Sequence, residues 1–254
     1  MKLGIIGCGA IGTDVAHAAD GMKEIEKIYL HDLKPEASKK LCTMLKKGII
    51  QPVADFLDDV DVVFEAASQQ AVGQYAQQVL EAKKDMVIMS IGSLFDDILR
   101  KKLETLARKN KCKIYLPSGA VCGIDGVLAA SIERLDSVTL VTTKSPVSLG
   151  IKVEDRTVVF KGSARDAVKR FPKNINVAAC LSLAGVGFDE TKVEIVADPV
   201  ETRISHKILA HGRFGRLRAE IENMPNPNNP QSSYMASLSA IAILRRIINP
   251  IQIA

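Results

Sequence analysis

The residues best placed to do chemistry at the start of the chain are Gly7, Gly9 and Gly12, which directly follow the apolar run Leu3 to Ile6. Glycines at this spacing after a strand allow a tight turn, the approach of a pyrophosphate to the backbone and close helix packing. The helix predicted from Ala10 to Asp20 would direct its N–H groups and positive dipole end at the phosphates. The residues of this loop that we predict to bind a dinucleotide are Gly7, Gly9, Ala10, Ile11 and Gly12.

An acidic residue at the expected distance supports this prediction. Asp32 ends a second strand-like run, Ile28 to Leu30, and lies twenty residues after Gly12. A carboxylate there accepts hydrogen bonds from the adenosine ribose and repels a 2′-phosphate, although Lys34 would partly neutralise one. The spacing therefore predicts NAD as the preferred cofactor, whereas Asp32 considered alone would be a turn residue.

Small residues follow the later strands of the same pattern. In an open α/β sheet the ligand lies beyond the carboxyl ends of the strands, where small residues let the nicotinamide half lie against backbone. Serine and glycine in such loops also simply form turns, so each loop alone leaves both interpretations open. The predicted cofactor-binding residues of these loops are Ala66, Ala67, Ser68, Ser90, Ile91 and Gly92.

Oxidation of an amine or alcohol also requires a proton acceptor, and histidine is the first candidate. His206 lies in the middle of a predicted strand, with Ile204 and Ile208 on its own face. This pattern is compatible with a hydrogen-bonded core histidine as well as with a base. Similarly, Asn174 and Asn176 precede an apolar helix, where they would cap it or hold a carboxamide or carboxylate.

The elements that must position these residues alternate as strand and helix up to Pro117, which predicts a parallel sheet covered on both faces. Beyond it, several adjacent strands predict a second, mixed or antiparallel sheet, and a turn-rich loop at Asn223 to Gln231 precedes a last helix, Ser232 to Ile248. We predict an α/β fold with an N-terminal Rossmann domain (1–117), an α+β domain (118–231) and a C-terminal helix segment (232–254) that returns to the first domain.

The amino-acid composition of the chain argues against several classes of protein. The chain has 254 residues, 47% of them hydrophobic, and a net charge of +5 from scattered residues. The absence of tryptophan and of a basic stripe argues against nucleic-acid binding. Five cysteines without a CxxC spacing argue against structural zinc and disulfides, and no apolar run is long enough for a membrane span. We therefore expect a cytoplasmic protein with no metal and no membrane partner.

Several motifs together resemble the L-aspartate dehydrogenase family along nearly the whole chain. They are GIIGCGAIG with Asp32, SGAVCGIDG from Ser118, PKNINVAA from Pro172, the strand with His206, and NPNNPQSS before the last helix. The resemblance implies that Ala120 and Asn176 contact the dinucleotide and that His206 is the catalytic histidine. It also implies a homodimer that accepts NAD and NADP and whose product, iminoaspartate, feeds quinolinate formation in pyridine nucleotide biosynthesis.

The reaction that this resemblance implies is oxidation of L-aspartate to iminoaspartate, with a hydride passing to the nicotinamide and His206 handling the amine proton. Weaker candidates for holding the substrate are Ser118, Gly119, Lys173, Asn174, Asn228, Ser232 and Ser233. The alternatives are another two-domain reductase, similar to homoserine dehydrogenase or dihydrodipicolinate reductase, and a nucleotide-sensing protein without catalysis.

Overall fold

The computed structural model describes residues 1–171 and 176–252 and divides the chain into two compact units. The first unit comprises Met1–Pro117 and the segment that starts at Ser237, and the second comprises Ser118–Ala236. The first unit is thus formed by two separate segments of the chain, and the second unit is inserted between them.

The first unit contains a six-stranded parallel sheet in the order β3-β2-β1-β4-β5-β6. Its strands are β1 (Lys2–Ile6), β2 (Lys27–His31), β3 (Gly48–Ile50), β4 (Val62–Glu65), β5 (Asp85–Ile88) and β6 (Ile114–Tyr115). Its helices are α1 (Ala10–Asp20), α2 (Pro35–Cys42), α3 (Val53–Phe56), α4 (Gln69–Glu81) and α5 (Asp97–Asn110), with a 3₁₀ helix at Ile91–Phe95. The order reverses between β1 and β4, so the carboxyl ends of these strands form the crevice typical of a ligand site in such sheets.

Apolar strands explain why this sheet is covered by helices on both faces. All four residues of β4 are buried, as are the last four of β1, which is the continuous pattern of a strand inside a parallel sheet. The doubly wound fold predicted from the alternation of strands and helices is therefore confirmed.

The second unit contains a mixed five-stranded sheet in the order β11-β10-β7-β9-β8. Its strands are β7 (Leu135–Lys144), β8 (Thr157–Ser163), β9 (Lys192–Ala197), β10 (Ile204–Gly212) and β11 (Gly215–Asn223). Its helices are α6 (Ile124–Ala130), α7 (Pro146–Leu149), α8 (Ala164–Arg170) and α9 (Asn176–Ala184). A short hairpin, β12 (Pro225–Asn226) with β13 (Asn229–Ser233), leads to the last helix, α10 (Tyr234–Ile248). The prediction of a mixed second sheet is confirmed.

The C-terminal helix α10 completes the core of the first unit. Ala240, Ile243 and Leu244 pack in one apolar cluster with residues of β1 and β2, among them Leu3 and Ile28. This agrees with the prediction that the last helix returns to the nucleotide-binding part of the chain.

Three local predictions are corrected. The sequence that follows Asp32, with apolar residues at helical spacing, predicts a helix from Pro35 to Lys47, but α2 ends at Cys42 because the chain turns there to form the short strand β3. The segment 223–231, expected to be a loop, forms most of the β12–β13 hairpin. Consequently α10 begins at Tyr234 rather than Ser232.

Within residues 1–171 and 176–252, no helix combines the length and the apolar character that a bilayer crossing requires.

Candidate functional site

The glycine loop between β1 and α1 has the conformation that its sequence predicts. Gly7 has φ +99°, and a Cβ there would lie 2.7 Å from the carbonyl oxygen of Ala66. A Cβ on Gly12 would lie 1.9 Å from the carbonyl oxygen of Gly7, so only glycine allows α1 to pack so closely on the strand end. A Cβ on Gly9 would meet nothing within 4 Å, which leaves this residue facing open space.

The N-terminus of α1 is suited to a phosphate. Gly9 is its N-cap and contributes no side-chain hydrogen bond, and the first turn contains no acidic residue. Backbone N–H groups without helical partners and the positive dipole end therefore face the space beside Gly9.

Asp32 connects the glycine loop to the end of β2. Its Oδ2 accepts a hydrogen bond from the Cys8 N–H at 2.7 Å, and its Oδ1 accepts one from the Lys34 N–H at 2.8 Å. A carboxylate has about four acceptor sites, so ribose hydroxyls can still bind. Asp32 is thus both a loop brace and a candidate ribose ligand.

A cavity of about 440 Å³ lies along these elements, all of them within the first unit. Its lining residues are Ile6, Gly7, Cys8, Gly9, His31, Asp32, Leu33, Lys34, Ala37, Ala66, Ala67, Ser68, Ala71 and Tyr75. In its wall, His31 Nε2 lies 3.1 Å from the Tyr75 hydroxyl, and burial lowers the pKa of His31 although Asp32 acts to raise it. The lowered pKa of His31 disfavours its charged form, which suits a wall group better than a phosphate ligand.

The buried carboxylate of Glu65 organises the loops that follow β4 and β5. Its Oε1 accepts hydrogen bonds from Ala67 N–H (2.8 Å), Ser68 N–H (2.9 Å) and the Ser90 hydroxyl (2.8 Å). Its Oε2 accepts the Ser90 N–H at 3.0 Å. Burial raises the pKa of Glu65, while these donors act to lower it.

The predicted residues of these two loops differ in position. Ala66, Ala67 and Ser68 line the cavity, and the Ser68 hydroxyl also caps α4 by accepting the N–H of Ala71. Ser90, Ile91 and Gly92 are buried and are absent from the cavity lining. The Ser90 hydroxyl is directed at Glu65, so this loop contributes to the site through Glu65.

These features together fit a dinucleotide. The first unit provides an unobstructed glycine, a helix N-terminus without an acidic side chain, a carboxylate beside both, and a cavity of about 440 Å³ along the strand ends. The cofactor would supply the hydride acceptor of a redox reaction.

His206 lies inside the second unit, on β10. It is 5% exposed, and its Nδ1 lies 2.9 Å from the Thr142 hydroxyl oxygen on β7, the residue directly opposite it in the antiparallel register. This hydrogen bond occupies Nδ1 and leaves Nε2 as the nitrogen for proton exchange.

A lysine shares this buried face with His206. Lys144 follows Thr142 by two residues, is 6% exposed, and has its pKa lowered to about 8 because burial disfavours the ammonium form. Burial and the charge of Lys144 together lower the pKa of His206 to about 3. At neutral pH His206 is therefore uncharged, and the low pKa makes its imidazole a weak proton acceptor in the free protein.

The side chain of Asn223, at the end of β11, contacts the backbone of Ala120. The Asn223 side-chain N–H₂ donates to the carbonyl oxygens of Ala120 (3.0 Å) and Ile204 (3.2 Å). These two bonds fix the amide orientation, and the buried Asn223 Oδ1 finds no donor among the described residues. Asn176 is the exposed first residue of α9.

The weaker substrate candidates occupy varied positions in the second unit. Ser118 and Gly119 are half-buried beside Ala120, and Gly119 has φ +70°. Asn228 is exposed in the hairpin turn, where its N–H donates to the Asn226 side chain.

Of the remaining candidates, two serines form hydrogen bonds with residues near them in the chain, and two residues lie outside the part of the chain that the structure describes. The Ser232 hydroxyl donates to the Asn229 carbonyl, and the buried Ser233 hydroxyl accepts the N–H of Met235 at the start of α10. Lys173 and Asn174 lie outside the described residues.

Sequence reasoning missed several residues that shape these sites, chiefly Tyr75, Glu65, Thr142 and Lys144. For Lys144 a pattern was available, because Val138, Leu140 and Thr142 alternate on one face of β7 and Lys144 continues that face. A lysine at a core position of a strand calls for an explanation. Glu65 shows a similar pattern, since it follows three apolar residues at the end of the buried strand β4.

Two family models match consecutive parts of the chain. Residues 7–117 match a model described as "Homoserine dehydrogenase, NAD binding domain". Residues 125–247 match one described as "Aspartate dehydrogenase, C-terminal".

Curated relatives match over the full length. The chain is 45% identical to an L-aspartate dehydrogenase from Methanosarcina barkeri and 43% identical to one from Methanosarcina acetivorans, covering 100% of this chain and 99% of each relative. Among solved structures, an aspartate dehydrogenase from Thermotoga maritima aligns with a TM-score of 0.83 at 30% identity, over 100% of this chain and 99% of the other.

Proposed function

This chain belongs to the L-aspartate dehydrogenase family, and from that premise we propose that His206 is its catalytic base and that the glycine-loop cavity of the first unit is its dinucleotide site. The family makes the protein an NAD(P)-dependent oxidoreductase that acts on L-aspartate. Because the matches to this family cover the full length, they exclude the two alternative functions, which were another two-domain reductase and a nucleotide-sensing protein without catalysis.

The observation that carries the proposal for His206 is its position as a neutral, buried imidazole with one nitrogen held by Thr142. A base must accept a proton at Nε2, which requires that Nδ1–H donate to the Thr142 hydroxyl oxygen. The substrate amine is protonated at neutral pH and must lose a proton before Cα is oxidised. His206 takes that proton, and the resulting iminoaspartate is hydrolysed to oxaloacetate and ammonia or passed on.

The finer assignments are parts of the same proposal. In the first unit, the residues that would hold the cofactor are Gly7, Gly9, Ala10, Ile11, Gly12, Asp32, Ala66, Ala67 and Ser68, with Ser90, Ile91 and Gly92 behind them. In the second unit, Ala120 and Asn176 would contact the cofactor. NAD is preferred and NADP accepted, since Asp32 and Lys34 both line the cavity.

We further assign dinucleotide binding to the first unit and catalysis and dimer formation to the second. The working form is a cytoplasmic homodimer whose iminoaspartate feeds pyridine nucleotide synthesis. The support for these points is the resemblance to the family.

The test is aspartate-dependent reduction of NAD by the wild-type protein and by His206→Ala. Removal of a general base should lower kcat by about 100-fold or more, with the KM for NAD and the Tm retained. His211→Ala is the matched control, because His211 lies on the same strand, is exposed and pairs with Asp136 at 3.4 Å.

Equal losses of activity, NAD affinity and stability in His206→Ala would instead indicate a core histidine with no chemical role. Wild-type protein that neither oxidises L-aspartate nor binds it in the presence of NAD would contradict the function itself.

A further inference from the structure

The cavity of the first unit is lined by one residue whose charge changes near neutral pH. Among its described lining residues, Asp32 and Lys34 carry charges of opposite sign, and His31 is the histidine. Histidine is the side chain whose charge ordinarily changes between about pH 5 and about pH 8. The formal charges of the lining therefore cancel when His31 is neutral, and they leave one positive charge when His31 is protonated.

His31 has a defined position in the cavity wall. It ends β2 directly before Asp32, and its backbone carbonyl accepts the Gly7 N–H of the glycine loop at 2.8 Å. Its ring meets the Tyr75 ring of α4 edge to face, with the ring centroids 5.5 Å apart and Nε2 3.1 Å from the Tyr75 hydroxyl. The imidazole is therefore fixed to α4 as well as to its own strand.

The contact with Tyr75 is compatible with both protonation states of His31. A phenolic hydroxyl both donates and accepts hydrogen bonds, whereas a protonated imidazole only donates. The hydroxyl therefore serves a neutral His31 as donor or acceptor, and it accepts the Nε2–H of a charged His31 through its oxygen. Protonation thus changes the charge of the cavity wall and keeps the contact that positions the ring.

Asp32 and His31 lie within electrostatic range of each other. Burial lowers the pKa of His31, and the carboxylate of Asp32 acts to raise it. The other titratable residues of the lining are Tyr75 on α4, Cys8 in the glycine loop and Lys34 before α2. Burial raises the pKa of Cys8 to about 12, so this thiol stays uncharged at neutral pH. A charged ligand group that approaches Asp32 therefore also acts on His31.

NAD and NADP differ at the group that Asp32 would meet. NAD has a hydroxyl at the 2′-oxygen of the adenosine ribose, whereas NADP has a phosphate there, with a charge of about −1.5 to −2 at pH 7. The pyrophosphate is common to both cofactors and cancels when their affinities are compared. A positive charge on His31 therefore favours the cofactor with the 2′-phosphate, because opposite charges attract across the cavity.

We propose that His31 makes the choice between NAD and NADP depend on pH: its neutral form leaves the preference for NAD that Asp32 sets, and its protonated form favours NADP. This inference rests on the proposed dinucleotide site and adds a residue that determines cofactor specificity. The coupling is reciprocal, so NADP binding draws a proton from solvent onto His31 and raises the pKa of this residue more than NAD binding does.

Calorimetric titration with NAD and with NADP, at about pH 8 and about pH 5.5, tests the proposal. On acidification, the affinity for NADP relative to NAD should rise about 5-fold more in wild type than in His31→Gln, which keeps a polar group beside Tyr75 without the charge. This comparison removes the contribution of the 2′-phosphate, which itself takes up a proton in this range.

Two further variants complete the series. His31→Lys carries its charge at both pH values and should favour NADP about 5-fold more than His31→Gln does, already at the higher pH. His17→Gln is the matched control and should behave as wild type, because His17 is exposed on α1 and does not line the cavity.

NMR titration of the His31 imidazole gives a readout that is independent of catalysis. The pKa of His31 should rise when NADP binds and rise less when NAD binds. Equal changes with the two cofactors would overturn the proposal, and so would the same pH dependence of the affinity ratio in wild type and His31→Gln. A wild-type protein that binds neither cofactor would contradict the proposed dinucleotide site itself, so the two failures are distinguishable.

Discussion

At the scale of single residues, Asp32 combines two roles. It braces the glycine loop through the Cys8 N–H and lies in the cavity wall beside Lys34. A carboxylate near the ribose favours a free 2′-hydroxyl, whereas a nearby lysine tolerates a 2′-phosphate. The choice between NAD and NADP therefore depends on the balance of two neighbouring charges.

The opposing charges of Asp32 and Lys34 predict how the protein chooses between NAD and NADP. Wild type should have a higher kcat/KM with NAD than with NADP. Asp32→Ala should reduce kcat/KM with NAD about 10-fold and bring the ratio of the two toward one, because both the ribose acceptor and the repulsive charge are lost. Steady-state kinetics with both cofactors measures this.

Lys34→Ala is the opposing variant and should lower kcat/KM with NADP while leaving NAD almost unchanged. A wild-type preference for NADP would contradict the assignment of Asp32.

At the scale of elements, the strand ends and the loops that follow them act as units. Glu65 at the end of β4 holds its own loop and the loop after β5 with four hydrogen bonds from three residues. Ala67 and Ser68, which line the cavity, are thus kept in place by a carboxylate that does not itself line it. Glu65 thus positions residues of the cavity that we propose to bind the dinucleotide.

Glu65→Gln tests this arrangement. Glutamine replaces one carboxylate oxygen by an N–H₂ group, so that two donors would face each other where an oxygen now accepts an N–H. Leaving a buried donor unsatisfied costs about 1–3 kcal/mol. We expect NAD affinity to fall about 10-fold and stability to decrease, with a smaller decrease in Ser90→Ala, which removes one of the four bonds.

Calorimetric titration with NAD and thermal unfolding measure the two effects. If NAD affinity in Glu65→Gln equals that of wild type while the Tm falls, the carboxylate supports the fold alone.

At the scale of the whole molecule, two distant segments of the chain form the first unit. The second unit is inserted between Pro117 and Ser237, and α10 brings Leu244 into a core formed by β1 and β2. The stability of the dinucleotide-binding unit therefore depends on residues more than two hundred positions apart in the sequence.

Leu244→Ala should show this dependence. Leu244 is fully buried, and truncation of such a leucine costs about 2–5 kcal/mol. The midpoint of urea unfolding, followed by the loss of NAD binding, should fall accordingly. Leu238→Ala on the same helix is the control, since Leu238 is 39% exposed and a surface change alters stability by only about 0.5 kcal/mol. Equal midpoints for both variants would contradict the packing described.

The sequence by itself determined the elements that form through interactions between residues close together in the chain. The bounds predicted for α1 are those observed, and the glycine loop has the turn that its spacing predicts. The motifs at Ser118, His206 and the last helix identified the family that the comparisons confirm. The assignment of individual site residues remains a prediction.

Only the tertiary structure decided which distant residues share an environment. Strand β3 forms because β2, twenty residues earlier in the chain, pairs with it, and it is not strongly patterned in sequence. The strand register aligns Thr142, Lys144 and His206 on one buried face, and it brings Ser90 to Glu65. Burial and neighbouring charge set the chemistry of these groups, and both depend on contacts between residues far apart in the chain.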